Sequence, residues 1–300
     1  MTTGVTVRSC RTAASRLRPG SSIVRALTTP PIWRYVAVMT LVVGVLSPEY
    51  ALALADTYSI ITLDNPATVA LPGGGTFTLP AGQPLEGQNP HKIRFSANLE
   101  EAFAFAGASN IGEDPLGLPS GMVGVAADEH IARKLGQEAD AAGFAKIPAG
   151  NYAGTAALHI YRCAGRFIAS AFFGSAVRGV VRLWTRCCPH RLLWVAIGSG
   201  EGHVAQLLTT PHVAEQWEDM ARESGTNRLD HVEAFWAKVI GAVSTRQDDV
   251  NNVVVRAVRT IETGTWQVRP PQAYEWADAP WPSAEAPHLD QRLAPGMFQF

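Results

Sequence analysis

The first strong feature of the hydrophobic pattern is a run from Val36 to Leu46 with Thr40 as its one polar side chain. At about eleven residues it is short for a bilayer span of roughly twenty and has the length of a signal-peptide core. Ser47-Pro48-Glu49-Tyr50 then breaks any helix, and Ala51-Leu52-Ala53-Leu54-Ala55 meets the small-x-small rule of a signal peptidase. Residues 36–55 therefore predict a signal peptide, cleavage after Ala55 and an exported mature chain; an uncleaved anchor is disfavoured because Pro48 and Glu49 interrupt the span. The preceding leader is long. Either Met39 is the start of a shorter product, or the first 34 residues are a transit peptide stacked on the signal.

Beyond Asp56 the pattern first alternates with a period of two. Ile60-Ile61-Thr62-Leu63, Thr68-Val69-Ala70-Leu71 and Thr76-Phe77-Thr78-Leu79 surround a Pro72-Gly73-Gly74-Gly75 turn, which predicts a β hairpin. Lys92 to Phe95 is one further short strand. From there the period lengthens. Asn98 with Glu101 reads as a capping box for a helix through Ala108, and Ala126 to Phe144 as a second helix. Thr155 to Cys188 reads as a third, broken near Gly165 or Gly174. Three more are expected at 210–223, 229–243 and 250–261, joined by short links as an antiparallel bundle. The fold class expected is thus α+β, mostly α: a targeting segment (1–55), a β-hairpin region (56–95), a helical domain (96–267) and a Pro- and aromatic-rich tail (268–300).

Composition changes this picture little, but charge does. The net charge is −1, and 47% of residues are apolar, enough for one sizeable core. The charges are segregated: residues 1–55 carry six arginines against Glu49, and residues 141–200 carry Lys146 and six arginines with no acid. Arg178, Arg182 and Arg186 lie four apart, as do Arg162 and Arg166, which on a helix places each set along one edge, with Trp184 nearby. Such a segment, 162–191, can lie on a membrane surface or meet a protein partner; the competing reading is a buried helix paired with acidic neighbours. It lacks the interleaved aromatics that single-stranded nucleic acid needs, so no nucleic-acid partner is expected.

Candidate chemistry is thin. Leu192 to Ile197, then Gly198-Ser199-Gly200-Glu201-Gly202, then His203 to Leu208 make a strand, a glycine loop and a helix, which lets a backbone approach a nucleotide-like ligand. The segment resembles the first motif of S-adenosylmethionine-dependent methyltransferases over about seventeen residues. That resemblance implies Gly198, Gly200 and Gly202 as cofactor-lining positions; an acid before the loop and an acid-ended second strand are missing. His212 with Glu215 has metal-ligand spacing but no second such pair, and Cys163, Cys187, Cys188 and His190 make a poor zinc set. Cys163 could pair with Cys187 or Cys188 in an oxidising compartment. The function expected is that of an exported non-catalytic protein associating through the basic segment and tail, with a methyltransferase as the alternative and the cofactor unknown.

Overall fold

In the computed structural model of the chain, strands hold more residues than helices do, which overturns the mostly helical expectation. The structure describes residues 33–34, 41–63, 67–70, 76–79, 85–89, 91–106, 110–111, 122–141, 156–175, 179–186, 192–222 and 228–282. All belong to the unit Pro31–Phe300. In chain order the strands are β1 (Trp33–Arg34), β2 (Leu41–Leu46), β3 (Tyr50–Asp56), β4 (Tyr58–Leu63), β5 (Ala67–Ala70), β6 (Thr76–Leu79), β7 (Leu85–Gln88), β8 (Ile93–Phe95), β9 (Ala102–Ala106), β10 (Asn110–Ile111), β11 (Ala156–Cys163), β12 (Arg166–Ser175), β13 (Gly179–Arg186), β14 (Leu193–Gly198), β15 (Val253–Thr260) and β16 (Gln267–Ala273). The helices are α1 (Gly124–Ala141), α2 (Glu201–Leu208), α3 (Pro211–Arg222) and α4 (Leu229–Val243).

Two five-stranded sheets form the body: sheet I in the order β13-β12-β11-β9-β8 and sheet II in the order β14-β2-β3-β15-β16. Every strand pairing among the described residues is antiparallel. A small-residue layer lies between the sheets: Ala51, Ala53 and Ala55 of β3 share a cluster with Ala104 of β9, Leu158 of β11 and Ala169 of β12. The other face of sheet II, with Leu41, Val43, Leu52 and Leu54, packs on Val204, Trp217, Trp236 and Val239 of the helices α2, α3 and α4. The other face of sheet I, with Phe103, Ala157 and Phe172, packs on Ala127, Ile131 and Leu135 of α1. The layers run helix, sheet, sheet, helix. Smaller assemblies are β10-β1-β4-β7 and the β5-β6 hairpin, which closes across the glycine-rich connection.

Residues 41–55 of the segment expected as a signal peptide lie in the middle of sheet II. β2 pairs with β14 and β3, and β3 with β15. Ser47 to Tyr50 is the turn between β2 and β3, closed by the Ser47 N–H on the Tyr50 carbonyl at 2.8 Å. A strand covered on both faces needs no polar alternation, so its sequence reads as a continuous apolar run. Size alternates instead: small residues meet sheet I and large ones meet the helices. The closest approach is at Gly44, where an added Cβ would stand 2.9 Å from Leu158 Cδ2. The fold lends no support to a signal peptide here; cutting after Ala55 would remove all of β2 and most of β3.

Three of the expected helices are strands instead. Within the segment 155–188 the described residues form β11, β12 and β13, with β11 and β12 joined at Ala164 (φ 50°) and Gly165 (φ 79°), left-handed positions that suit a two-residue hairpin loop. The segment 250–261 is β15, and the supposed capping-box helix at 98–108 is β9. The helices expected near 126–144, 210–223 and 229–243 are present as α1, α3 and α4, but they cover sheets rather than one another as a bundle. Past β16 the chain lies on the helices through Tyr274, Trp276 and Trp281, and the Tyr274 carbonyl would be 2.3 Å from a Cβ at Gly241. Residues 283–300 lie outside the described residues.

Candidate functional site

Where β2 starts, three strand ends meet. Leu41, the first residue of β2, is opposite Gly198, the last of β14, and Asp56 ends the neighbouring β3. Asp56 is fully buried, and its carboxylate accepts the Leu41 N–H on Oδ1 at 2.8 Å and the Tyr58 N–H on Oδ2 at 2.9 Å. Lys92, just ahead of β8 in the other sheet, brings its Nζ to 3.2 Å from Oδ1 and 3.1 Å from Oδ2. A buried Lys–Asp pair thus bridges the two sheets.

Other polar groups lie at the same end of sheet II, and the charge of Asp249 acts on Lys92. Ser199, between β14 and α2, donates its hydroxyl to Asp249 Oδ1 at 3.0 Å, and Gln247 Nε2 donates to the same oxygen at 2.6 Å. Asn251 Oδ1 accepts the Thr57 N–H at 3.0 Å and so fixes the backbone just after Asp56. Burial lowers the Lys92 pKa below its ordinary 10.5, against the opposing pull of Asp56 and, more weakly, Asp249. A lysine whose ammonium is disfavoured by burial yet aimed by a carboxylate can serve as a proton acceptor or a charge in acyl chemistry. Residues perturbed by burial and a specific partner are functional candidates on physical grounds.

The glycine loop singled out in the sequence lies at this same end of the sheet. Gly198 has φ 106°, and a Cβ at Gly200 would come within 2.9 Å of Val243 Cγ1 and 3.2 Å of Leu41 Cβ. These glycines let β14 turn tightly into α2 against β2 and α4. Gly202 lies within α2. The antiparallel sheet is not the parallel, doubly wound sheet that the methyltransferase resemblance implies.

The basic row is not the edge of a helix. Arg162 and Arg166 are exposed on either side of the β11-β12 turn. Arg182, Trp184 and Arg186 belong to β13, at register positions opposite Phe172, Ser170 and Ile168. Arg178, Cys187, Cys188 and His190 lie outside the described residues, while Cys163 is a half-buried free thiol. His212 and Glu215 are exposed on α3. Among the described residues no group of three or more His, Cys, Asp or Glu is arranged to hold a metal, and no helix is long and apolar enough to cross a membrane.

Sequence reasoning missed Asp56, Lys92, Ser199 and Asp249. The available signal was an acid directly closing the apolar run, which the signal-peptide reading had discarded as the first mature residue. It also missed a second polar cluster under α1, where His159 lies between Asp128 and Glu101.

No family model and no curated protein matches the sequence. Among solved structures, a Gly-1 mutant of Anbu from Hyphomicrobium sp. strain MC1 aligns with TM-score 0.45 and 12% identity, covering 80% of this chain and 89% of that one. Anbu from the same strain in another crystal form aligns with TM-score 0.43 and 11% identity over the same shares.

Proposed function

We propose that the protein is a hydrolase of amide or ester bonds whose nucleophile is the hydroxyl of Thr40. The observation that carries this reading is the buried Lys92–Asp56 pair bonded to the Leu41 N–H. Thr40 lies outside the described residues, but one peptide bond joins it to that N–H. Hydroxyl nucleophiles need a base beside them, and a threonine at a chain start has its own α-amine for that purpose. A chain beginning at Thr40 arises by loss of Met39 from a product started there, or by a cut between the two.

In this reading the Thr40 hydroxyl adds to the substrate carbonyl, and its proton passes through the α-amine to the departing amine or alcohol. An acyl ester on Thr40 results, and water then releases the acid and restores the hydroxyl. Lys92 supplies positive charge and a proton path at the start of β2; Asp56 orients Lys92. Asp249, held by Ser199 and Gln247, adds negative charge that acts on Lys92.

The test is N-terminal sequencing of the purified protein, followed by mass spectrometry after exposure to a β-lactone. A chain starting at Thr40 that gains the lactone mass on that residue supports the proposal, as does loss of labelling in Thr40→Ala and Lys92→Met. A folded chain starting at Thr40 that stays unlabelled, or labelling that persists in Thr40→Ala, sinks it. A chain starting at Asp56 would speak for export instead. The association reading retains one supporting observation, the exposure of Arg162 and Arg166 at one hairpin turn. Co-sedimentation with anionic vesicles, lost in the Arg162→Ala, Arg166→Ala double variant, is its test.

A further inference from the structure

On the outer face of sheet I a polar cluster is sealed beneath α1. His159 of β11 is opposite Phe103 of β9 on one side and Ser170 of β12 on the other, so the three share one rung facing the helix. The imidazole is fully buried and stacked between Phe103 at 4.4 Å and Tyr161 at 4.6 Å between ring centres. Its Nδ1 is 2.8 Å from Asp128 Oδ1, and its Nε2 is 2.9 Å from Glu101 Oε2. Both ring nitrogens therefore face carboxylate oxygens.

The two carboxylates do more than hold the ring. Glu101 also accepts the N–H of Gly124, the first residue of α1, at 2.8 Å, and so caps the helix. Asp128, one turn into α1, accepts the Ser170 hydroxyl at 2.9 Å and the Tyr161 hydroxyl at 3.1 Å on Oδ2. With those donors placed, the imidazole satisfies both acids only by donating from both nitrogens, which is the imidazolium form. A neutral ring would set one nitrogen lone pair against a carboxylate oxygen in a buried site, where an unmade bond is most expensive.

We propose that His159 is a proton-operated latch: as imidazolium it ties the start of α1 to β9 and β11, and loss of one ring proton to solvent frees that turn. The charged groups around it are consistent with a cation. From the turn just ahead of β9 come Glu101 and, next to it, Glu100; from α1 comes Asp128, while His130 and Arg133 of the same helix bond to each other at 2.8 Å. From β11 come Tyr161 and the exposed Arg162, and from β15 comes Arg259, whose charge acts on Glu100 and Glu101. Burial is the largest single influence on His159 and opposes its charge, but the hydrogen bonds and charges of Asp128 and Glu101 together outweigh it and raise the pKa above 6.5. The raised value fixes the sign: the latch is fully present below the unfolded pKa and is lost as pH rises through the folded one.

The latch stands apart from the proposed hydrolase, so its test does not read activity. In ring-15N-labelled wild-type protein, one of the eight histidines should hold both ring protons to a pH above the ordinary 6.5, a signal absent from His159→Gln. Hydrogen exchange of peptides covering 124–141, corrected for intrinsic base catalysis, should lose protection by up to about tenfold per pH unit between 6.5 and the raised His159 pKa, and level off above it. Protection in β2 and β3 should hold over the same range. A His159 ring that titrates at or below 6.5, or α1 protection that does not change with pH, would overturn the proposal. Should His159→Gln fail to fold, these wild-type measurements decide it alone.

Discussion

Replacing Lys92 with methionine keeps the apolar stem and removes the ammonium, so its effect isolates the charge. In the native structure the Lys92 and Asp56 side chains are 8% and 0% exposed. Taking one partner from a buried ion pair costs about 3–5 kcal/mol, because the other charge stays buried without compensation. Asp56 retains the Leu41 and Tyr58 N–H groups, and a charged hydrogen bond is worth about 1.5–3 kcal/mol. The lower end of the range is therefore expected, about 3 kcal/mol, read by urea denaturation at neutral pH. Asp56→Asn added to Lys92→Met removes the stranded charge and should recover about 2 kcal/mol. The four proteins form a double-mutant cycle whose coupling energy is that recovery plus the cost of Asp56→Asn alone. Additive single effects, or a Lys92→Met protein within 1 kcal/mol of wild type, would refute the view that the pair is buried and mutually dependent. The recovered double variant should still fail to react with the β-lactone, which separates chemistry from stability.

Other expectations follow from the same geometry. With the Lys92 pKa lowered chiefly by burial, the folded state binds fewer protons between that value and 10.5. The Lys92 share of stability should therefore rise with pH across that window, and Lys92→Met should abolish the rise in a series of melts. Glu201, at the start of α2, has its pKa pushed up by burial to about 8; stability is lost as pH rises from 4.5 through about 8. Glu201→Gln should accordingly gain up to about 4 kcal/mol on wild type between pH 5 and pH 9, and equal behaviour at both would contradict it. Gly241→Ala drives a methyl into the Tyr274 carbonyl, costing about 1–3 kcal/mol, with earlier proteolysis of the segment 274–282 as the readout.

How much was legible in the sequence follows from burial pattern. The helices α3 and α4 each expose one face, so their period of 3.6 survived and both were read nearly to their ends. Strands β2 and β3 are covered on both faces, and a continuous apolar run without alternation is equally a signal core or a doubly buried strand. The run 156–186 failed differently: the spacing of four between Arg162 and Arg166 comes from a two-residue hairpin turn between strand ends, which imitates a helical step. The glycine loop was located correctly because strand, tight turn and helix are local. The chemistry read into it depended on sheet direction, which a local motif does not carry. Lys92 and Asp56 are 36 residues apart, and no spacing rule links a lysine of one sheet with an aspartate of the other. The His159 cluster draws on β9, α1, β11 and β12, with each residue unremarkable in its own segment.

The placement of β2 and β3 has a consequence for how the chain is made. Both strands emerge early from the ribosome, but β3 pairs Ala55 with Val255, about 200 residues later. At roughly 5–20 residues per second, the apolar hairpin waits about 10–40 s for its partner strand. During that interval it presents nascent-chain receptors with an apolar run of the length of a signal-peptide core. A holding chaperone is the physical remedy for so late a closure, and ribosome profiling of chaperone-bound nascent chains should show engagement beginning once β3 clears the exit tunnel and ending after β15 does.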